Sequence, residues 1–209
     1  MKLYYVPGSS SLSSHIVLLE SGLPFEKVRV DEATKITEEE RDYATINPLG
    51  YVPSLQLHDG TVLTEAPAIL QFIADKVPAK KLAPPNATID RTKLQSWLNF
   101  LSSELHKGGF SPLFYPAMPD QAKMIFRDRL AVRFAYLDVH LAKHEYLMGD
   151  NFSVADAHLF VLSNWASWVS FELTSYSNVL VYRAHVGARP AVRAALNAEG
   201  LIPWPCRPP

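Results

Sequence analysis

Cysteine is almost missing from this chain: among 209 residues there is one, Cys206, in the tail PWPCRPP. A single thiol has no partner for an internal disulfide and cannot build a thiolate metal cluster, so both are excluded. Cys206 itself reads as a spectator on a proline-rich terminus. No apolar run approaches the roughly 18 residues that cross a bilayer, and the opening MKLYYVPGSS lacks the apolar core of a signal peptide. An excess of one charge is also lacking, since Lys plus Arg number 20 against 21 for Asp plus Glu. No global field therefore draws nucleic acid or an anionic membrane, although local sites stay open. No Gly-x-Ser-x-Gly elbow of a serine hydrolase occurs. His140 and His144, four apart on a helix, lack a third ligand, so no metal is expected. These absences leave a soluble, cytoplasmic protein with no nucleic-acid or membrane partner.

What is present is an ordered globular composition, 48% hydrophobic and 20% charged, enough for a large core in one domain or two. Residues 1 to 78 mix strands with helices. KLYYV is an apolar strand ending at Pro7-Gly8, and SSHIVLLESG a helix stopped by Gly22. FEKVRV resumes as a strand. Thr37-Glu38-Glu39-Glu40 has the spacing of a capping box and predicts a short helix ending before Asn47-Pro48. SLQLHDGTVL reads as a hairpin turning at Asp59-Gly60. Pro67 opens a helix carrying Ile69, Leu70, Phe72, Ile73 and Val77 at core-facing spacing. The expected order is β-α-β-α-β-β-α, with the first two strands parallel because a helix crosses between them and the last two antiparallel.

Residues 79 to 87 are proline-rich, without periodicity, and read as a linker. From 88 to 209 every pattern is helical: Leu94, Trp97, Leu98, Leu101 and Leu105 repeat at i, i+3, i+4, i+7, as do Leu130, Phe134, Leu137 and Leu141. Ser153 and Asp156 form a capping box ahead of VADAHLFVLSNWASWV, a run so apolar that its helix belongs at the centre of a bundle. At about 100° per residue, Asn99, Ser103 and His106 share one face of the helix WLNFLSSELHKGGF, opposite its leucines.

One stretch asks for more than folding. YYVPGSSSLSSHIVLLESG places five serines, Ser9, Ser10, Ser11, Ser13 and Ser14, in six positions before a helix. Together with NPLGYVPSLQLHDGTVLTEAPAILQFIAD at residues 47 to 75, SELHK and SVADAHLF, it resembles the cytosolic glutathione transferases, the bacterial beta class in particular, from Met1 to about Ile202. That resemblance implies an α/β thioredoxin-like N-terminal domain, a mixed four-stranded sheet that binds glutathione, followed by an all-α helical bundle. It implies a homodimer formed through the first helices of the second domain, and a hydrophobic electrophile as the second substrate.

By the same resemblance, Val52-Pro53 matches a cis-proline turn whose backbone pairs with the cysteinyl part of glutathione. Glu65 takes the γ-glutamyl ammonium, and the N–H groups at Ala66 its carboxylate; Ala66 lacks the hydroxyl that many relatives carry. Lys35 matches a lysine near the glycyl carboxylate. Asn99, Ser103, Glu104 and Lys107 match cleft-lining or partner-reaching positions, and His106 shapes the cleft. Many beta-class enzymes place a cysteine where this chain has Ser10, so a mixed disulfide there is excluded. A helix N-terminus and a hydroxyl donor both favour a thiolate, which makes Ser10 the expected activator, then Ser11, then Tyr5. Phe110, Phe114 and Trp165 are candidates for the electrophile pocket, or core. Two other functions fit the same pattern: a non-catalytic ligand carrier, and glutathione-dependent aryl-ether cleavage or dehalogenation.

Overall fold

The computed structural model describes residues 1 to 202; Cys206 lies outside them. Two compact units divide the chain. In the first, four strands form one sheet in the order β2-β1-β3-β4: β1 (Lys2–Tyr5), β2 (Glu26–Arg29), β3 (Ser54–Gln56) and β4 (Val62–Thr64). β1 runs parallel to β2, with Tyr4 opposite Val28, and antiparallel to β3, with Leu3 opposite Leu55. The helix between β1 and β2, α1 (Ser11–Ser21), ends at Gly22, whose φ of 73° lets its N–H reach the Leu18 and Leu19 carbonyls. After the hairpin comes α2 (Ala66–Lys76), with Pro67 in its first turn. Leu3, Ile16, Leu18, Leu55, Ile69, Leu70 and Ile73 have no exposure and form the core.

The mixed sheet and the order of its strands along the chain are as the sequence implies, with one correction. Thr37 to Glu40 start no α-helix; the region holds only a single 3₁₀ turn, Tyr43–Thr45. The capping box fails because the edge of β2 competes for it. Glu38 N–H donates to Arg29 O at 2.8 Å, and its carboxylate accepts Arg29 N–H at 2.8 Å. Thr37 and Val30 pair across a bridge, as do Ile36 and Asp42, and Glu40 turns with φ of 61°. Tertiary pairing has overridden a local signal.

The boundary between the units falls between Ala83 and Pro84, and the second unit runs from Pro84 to Arg189. It contains α3 (Ile89–Phe100), α4 (Ser111–Leu113), α5 (Asp120–Leu141), α6 (Val154–Trp168) and α7 (Ser177–Gly187). Every residue of α6 from Val154 to Ala166 is buried, as its all-round apolar pattern requires. The final helix, α8 (Pro190–Ala198), rejoins the first unit instead of the bundle. The physical reason lies in α1. Its residues Ser11 to Leu18 are all buried, so the helix needs cover on more than its sheet-facing side, and the Val192, Ala195 and Leu196 stripe of α8 supplies an apolar surface for it.

Between α3 and α4 the chain does not stay α-helical. Leu101–Phe110 is a π-helix, closed at its end by an i→i+5 bond from Ser111 N–H to His106 O. Such segments are rare, and usually a single turn long. Two glycines accommodate it. A Cβ at Gly108 would lie 2.6 Å from Ser103 O, and one at Gly109 would lie 2.5 Å from Leu130 Cδ2.

Candidate active site

In the first unit the site is built on the turn between β1 and α1. Pro7-Gly8 reverses the chain, Gly8 at φ 73°, and Ser10 caps α1 in a helical conformation with no side-chain bond to the helix. Its hydroxyl instead donates to Val52 O at 3.2 Å, across to the Val52-Pro53 bond, which is cis. Ser10 is thus drawn to the edge where an added strand would pair. Ser11 is spent on the loop: its hydroxyl donates to Val6 O at 3.1 Å, accepts Val6 N–H at 3.3 Å and meets Ser9 Oγ at 2.8 Å, fully buried. Tyr5, at the end of β1, is 8% exposed; burial first, then the charge of Glu199, raises its phenol above the usual range, so it stays protonated.

The β3–β4 register brings the next candidates to the same end of the sheet. Ser54 stands opposite Thr64, which places Pro53 and Glu65, one residue beyond each, side by side. Glu65 caps α2 at φ 66° and ψ 115°, a strained conformation for a residue with a side chain, and is exposed. Its carbonyl accepts the N–H groups of Ala68 and Ile69, while Ala66 is buried behind it. Lys35, also at positive φ, is half-buried, and its stem passes Gly50, close enough that a Cβ there would lie 3.8 Å from Lys35 Cε.

In the second unit the π-helix changes the expected face. Winding fewer degrees per residue than an α-helix, it invalidates a count at 100° beyond Leu101. Asn99 and Ser103 do share a side, Ser103 Oγ donating to Asn99 O at 2.9 Å, and both are exposed. His106 turns inward and packs edge-on against Trp165 at 4.9 Å. Burial, then His158 and Lys107, pushes its imidazole down to about 3, so it is neutral at physiological pH. Lys107 is exposed. The carboxylate of Glu104 pairs with Arg133 of α5 at 2.5 Å, which commits it to a helix contact. Phe110 has no exposure and joins Phe134 and Trp165 in the core; Phe114 is 43% exposed beside Trp165 and Trp168. Among the described residues no group of three or more His, Cys, Asp or Glu side chains could hold a metal ion. Nor is any helix among them long and apolar enough to cross a membrane.

Sequence reasoning missed Glu199, which reaches into the β1–α1 turn from α8; no local pattern announces it. It also missed the π-helix, for which the adjacent glycines were the one available signal.

A thioredoxin-like sheet with a cis-proline turn, followed in the same chain by an all-helical unit, defines a class of thiol-handling transferases. Comparison with known proteins agrees. Residues 9–76 match the N-terminal domain, and residues 103–199 the C-terminal domain, of glutathione S-transferase. The chain is 43% identical over 201 residues to glutathione S-transferase GstA of Escherichia coli O157:H7, covering 96% of this chain and all of that one. A sphingomonad glutathione S-transferase complexed with glutathione superposes with a TM-score of 0.93 at 46% identity, over 96% of this chain and all of the other. A beta-class enzyme from Sphingomonas chungbukensis gives a TM-score of 0.93 at 44% identity, over 97% and 100%. The chain belongs to the glutathione S-transferase family, with the characters of its bacterial beta class.

Proposed function

We propose that this glutathione S-transferase joins the sulfur of glutathione to small hydrophobic electrophiles, and that the Ser10 hydroxyl with the N-terminus of α1 stabilises the thiolate. The observation that carries this reading is the contact of Ser10 Oγ with Val52 O at 3.2 Å. The cysteinyl N–H of glutathione, pairing with Val52 as an added strand, takes over that carbonyl. Ser10 is then released to turn its donor to the sulfur, a hydroxyl standing at this position instead of a thiol. The thiol proton leaves to water, the sulfur forms a bond to the electrophilic carbon, and the leaving group departs with its electron pair. Ser11, committed to Val6, drops behind Tyr5, which as a protonated phenol is the second donor.

Glu65 takes the γ-glutamyl ammonium, backbone N–H at Ala66 its carboxylate, and Lys35 the glycyl carboxylate. His106 enters as a neutral hydrogen-bonding group; Asn99, Ser103 and Lys107 enter as polar contacts, with Glu104 the weakest of the set because it pairs with Arg133. Phe114 fits an apolar substrate best, being the exposed one of the three candidates Phe110, Phe114 and Trp165. A homodimer is part of the proposal, supported by Ile125, Val132, Tyr136 and Val139 on α5, each at least 55% exposed. We place the enzyme in the cytoplasm.

The test is the ultraviolet absorbance of bound thiolate against pH in the parent and Ser10→Ala. A thiol pKa raised by the substitution is the expected result; an identical titration refutes the role of Ser10. Ser10→Cys is expected to form a mixed disulfide with glutathione that the parent does not.

A further inference from the structure

Glu199 follows the last turn of α8, and its side chain has no exposure. One carboxylate oxygen lies 2.7 Å from Nδ1 of His15, an α1 residue whose side chain is 2% exposed. The other accepts the Gly8 N–H at 2.9 Å. Gly8 is itself buried, at positive φ, two residues ahead of Ser10. These bonds join positions 191 and 184 residues apart, so α8 is tied to the one loop that carries the candidate donor to sulfur. A carboxylate withdrawn from water is costly unless its oxygens are paired, and here each oxygen has a partner.

The surroundings hold this carboxylate in place. Gly200, at φ 72°, and the bond from Leu201 N–H to Leu196 O at 2.8 Å end α8 at a fixed point. Lys27 of β2 donates to Ala198 O at 3.2 Å while its ammonium lies 5.0 Å from the centre of the Tyr5 ring. The His15 ring is flanked by Phe25 at 5.7 Å and Tyr5 at 6.4 Å. On the far side of the loop, Ser9 and Ser11 bind each other and Val6. The turn is therefore gripped at two points, one internal and one supplied by α8.

We propose that Glu199 is a positioning residue for the thiol-stabilising loop: through the Gly8 N–H it sets the turn that presents Ser10, and His15 holds the carboxylate in register. The inference rests on the thiolate reading above. Without the carboxylate, the Gly8 N–H loses this bond to α8 and the turn relaxes, shifting Ser10 against Val52. A misplacement on the order of 1 Å in a positioning element costs up to about 100-fold. Because the Ser9–Ser11 side of the loop stays held, the expected loss is smaller, about tenfold.

The experiment uses the full chain and measures the bound-thiolate titration, kcat/KM for glutathione and thermal unfolding in the parent, Glu199→Ala and Glu199→Gln. Glutamine keeps the shape, an oxygen for Gly8 and a polar amide group within reach of His15 Nδ1. Glu199→Ala is expected to raise the pKa of the bound thiol and lower kcat/KM about tenfold, with Glu199→Gln recovering to within about threefold of the parent. An alanine variant that melts earlier yet titrates and turns over like the parent overturns the inference, since the pair then only staples α8. If alanine does not fold, Glu199→Asp, one methylene shorter, replaces it: a raised thiol pKa supports the role and a parent-like titration overturns it. A parent with no thiolate absorbance overturns the thiolate reading and this inference with it. A normal parent beside an unmoved variant overturns the inference alone.

Discussion

Replacing Asp156 by alanine probes the helical unit at its centre. The fully buried carboxylate accepts Leu147 N–H, Ser153 N–H and the Ser153 hydroxyl, each at 2.8 Å, and the Tyr182 hydroxyl at 3.1 Å. Alanine removes all of these acceptors together. The Ser153 hydroxyl can rotate, and Tyr182 keeps its bond to the Asp156 carbonyl at 3.1 Å, so the stranded groups are the two backbone N–H donors. At about 1–3 kcal/mol for each buried donor left unpaired, the loss is about 2–6 kcal/mol. Burial raises the Asp156 carboxyl above its usual range, so removing a desolvated charge returns part of that, leaving about 2–4 kcal/mol. At about 2–4 °C per kcal/mol for a chain of this size, the melting temperature falls by roughly 5–15 °C. Urea unfolding followed by far-ultraviolet circular dichroism is the assay; the midpoint drops while the slope holds. Asp156→Asn, which keeps one acceptor, falls between. A loss under about 1 kcal/mol, or alanine no worse than asparagine, would refute the argument that unpaired backbone donors set the cost.

Acid should weaken the same unit through its buried imidazoles. Burial pushes the His158 imidazole down to about 4, whereas in the unfolded chain it protonates near 6.5; the unfolded state binds more protons between those values, so stability falls as pH drops through the window, by about 3 kcal/mol. His106 adds in the same direction, and His158→Gln should flatten the slope of unfolding free energy between pH 6.5 and 4; an unchanged slope counts against a neutral buried imidazole. Gly108→Ala separates a π-helix from an α-helix by sign: in an ordinary helix the change stabilises by about 0.5–1 kcal/mol, but here the new Cβ would meet Ser103 O at 2.6 Å, so denaturant unfolding should show a loss of about 1–3 kcal/mol.

The sheet was legible because its signals are local and agree with one another. Leu3, Tyr4 and Tyr5 of KLYYV are buried on pairing, Gly22 stops α1, and Gly60 takes the positive φ of the hairpin turn, at 88°. Thr37 to Glu40 misled because a capping spacing competes with whatever edge lies nearby, and the open edge of β2 is not visible in four residues. The leucine repeat of α3 gave the right buried face up to Leu101; beyond it the winding changed while the leucines at 101 and 105 stayed buried, so hydrophobic pattern alone did not betray the π-helix. The docking of α8 was hidden for another reason. Its stripe fits a bundle as well as a sheet-covering helix, and the preference is set by the need of α1 for cover, a property of the assembled unit.

The serines follow from that same need. A helix buried from Ser11 to Leu18 against neighbours on several sides has little room for long side chains, and small hydroxyls close the gaps while serving their own backbone. Ser13 donates to Ser10 O at 2.7 Å, Ser9 and Ser11 lock the turn, and the buried Ser14 hydroxyl has no hydrogen-bond partner among the described residues. Four of the five serines are thus explained by packing and loop closure. Ser10 differs: its hydroxyl leaves its own segment for the carbonyl beside the cis-proline, the edge at which a cysteinyl backbone would pair. Chemistry has therefore to be sought at one residue of the run, and the others, with Glu199 behind them, decide where that residue stands.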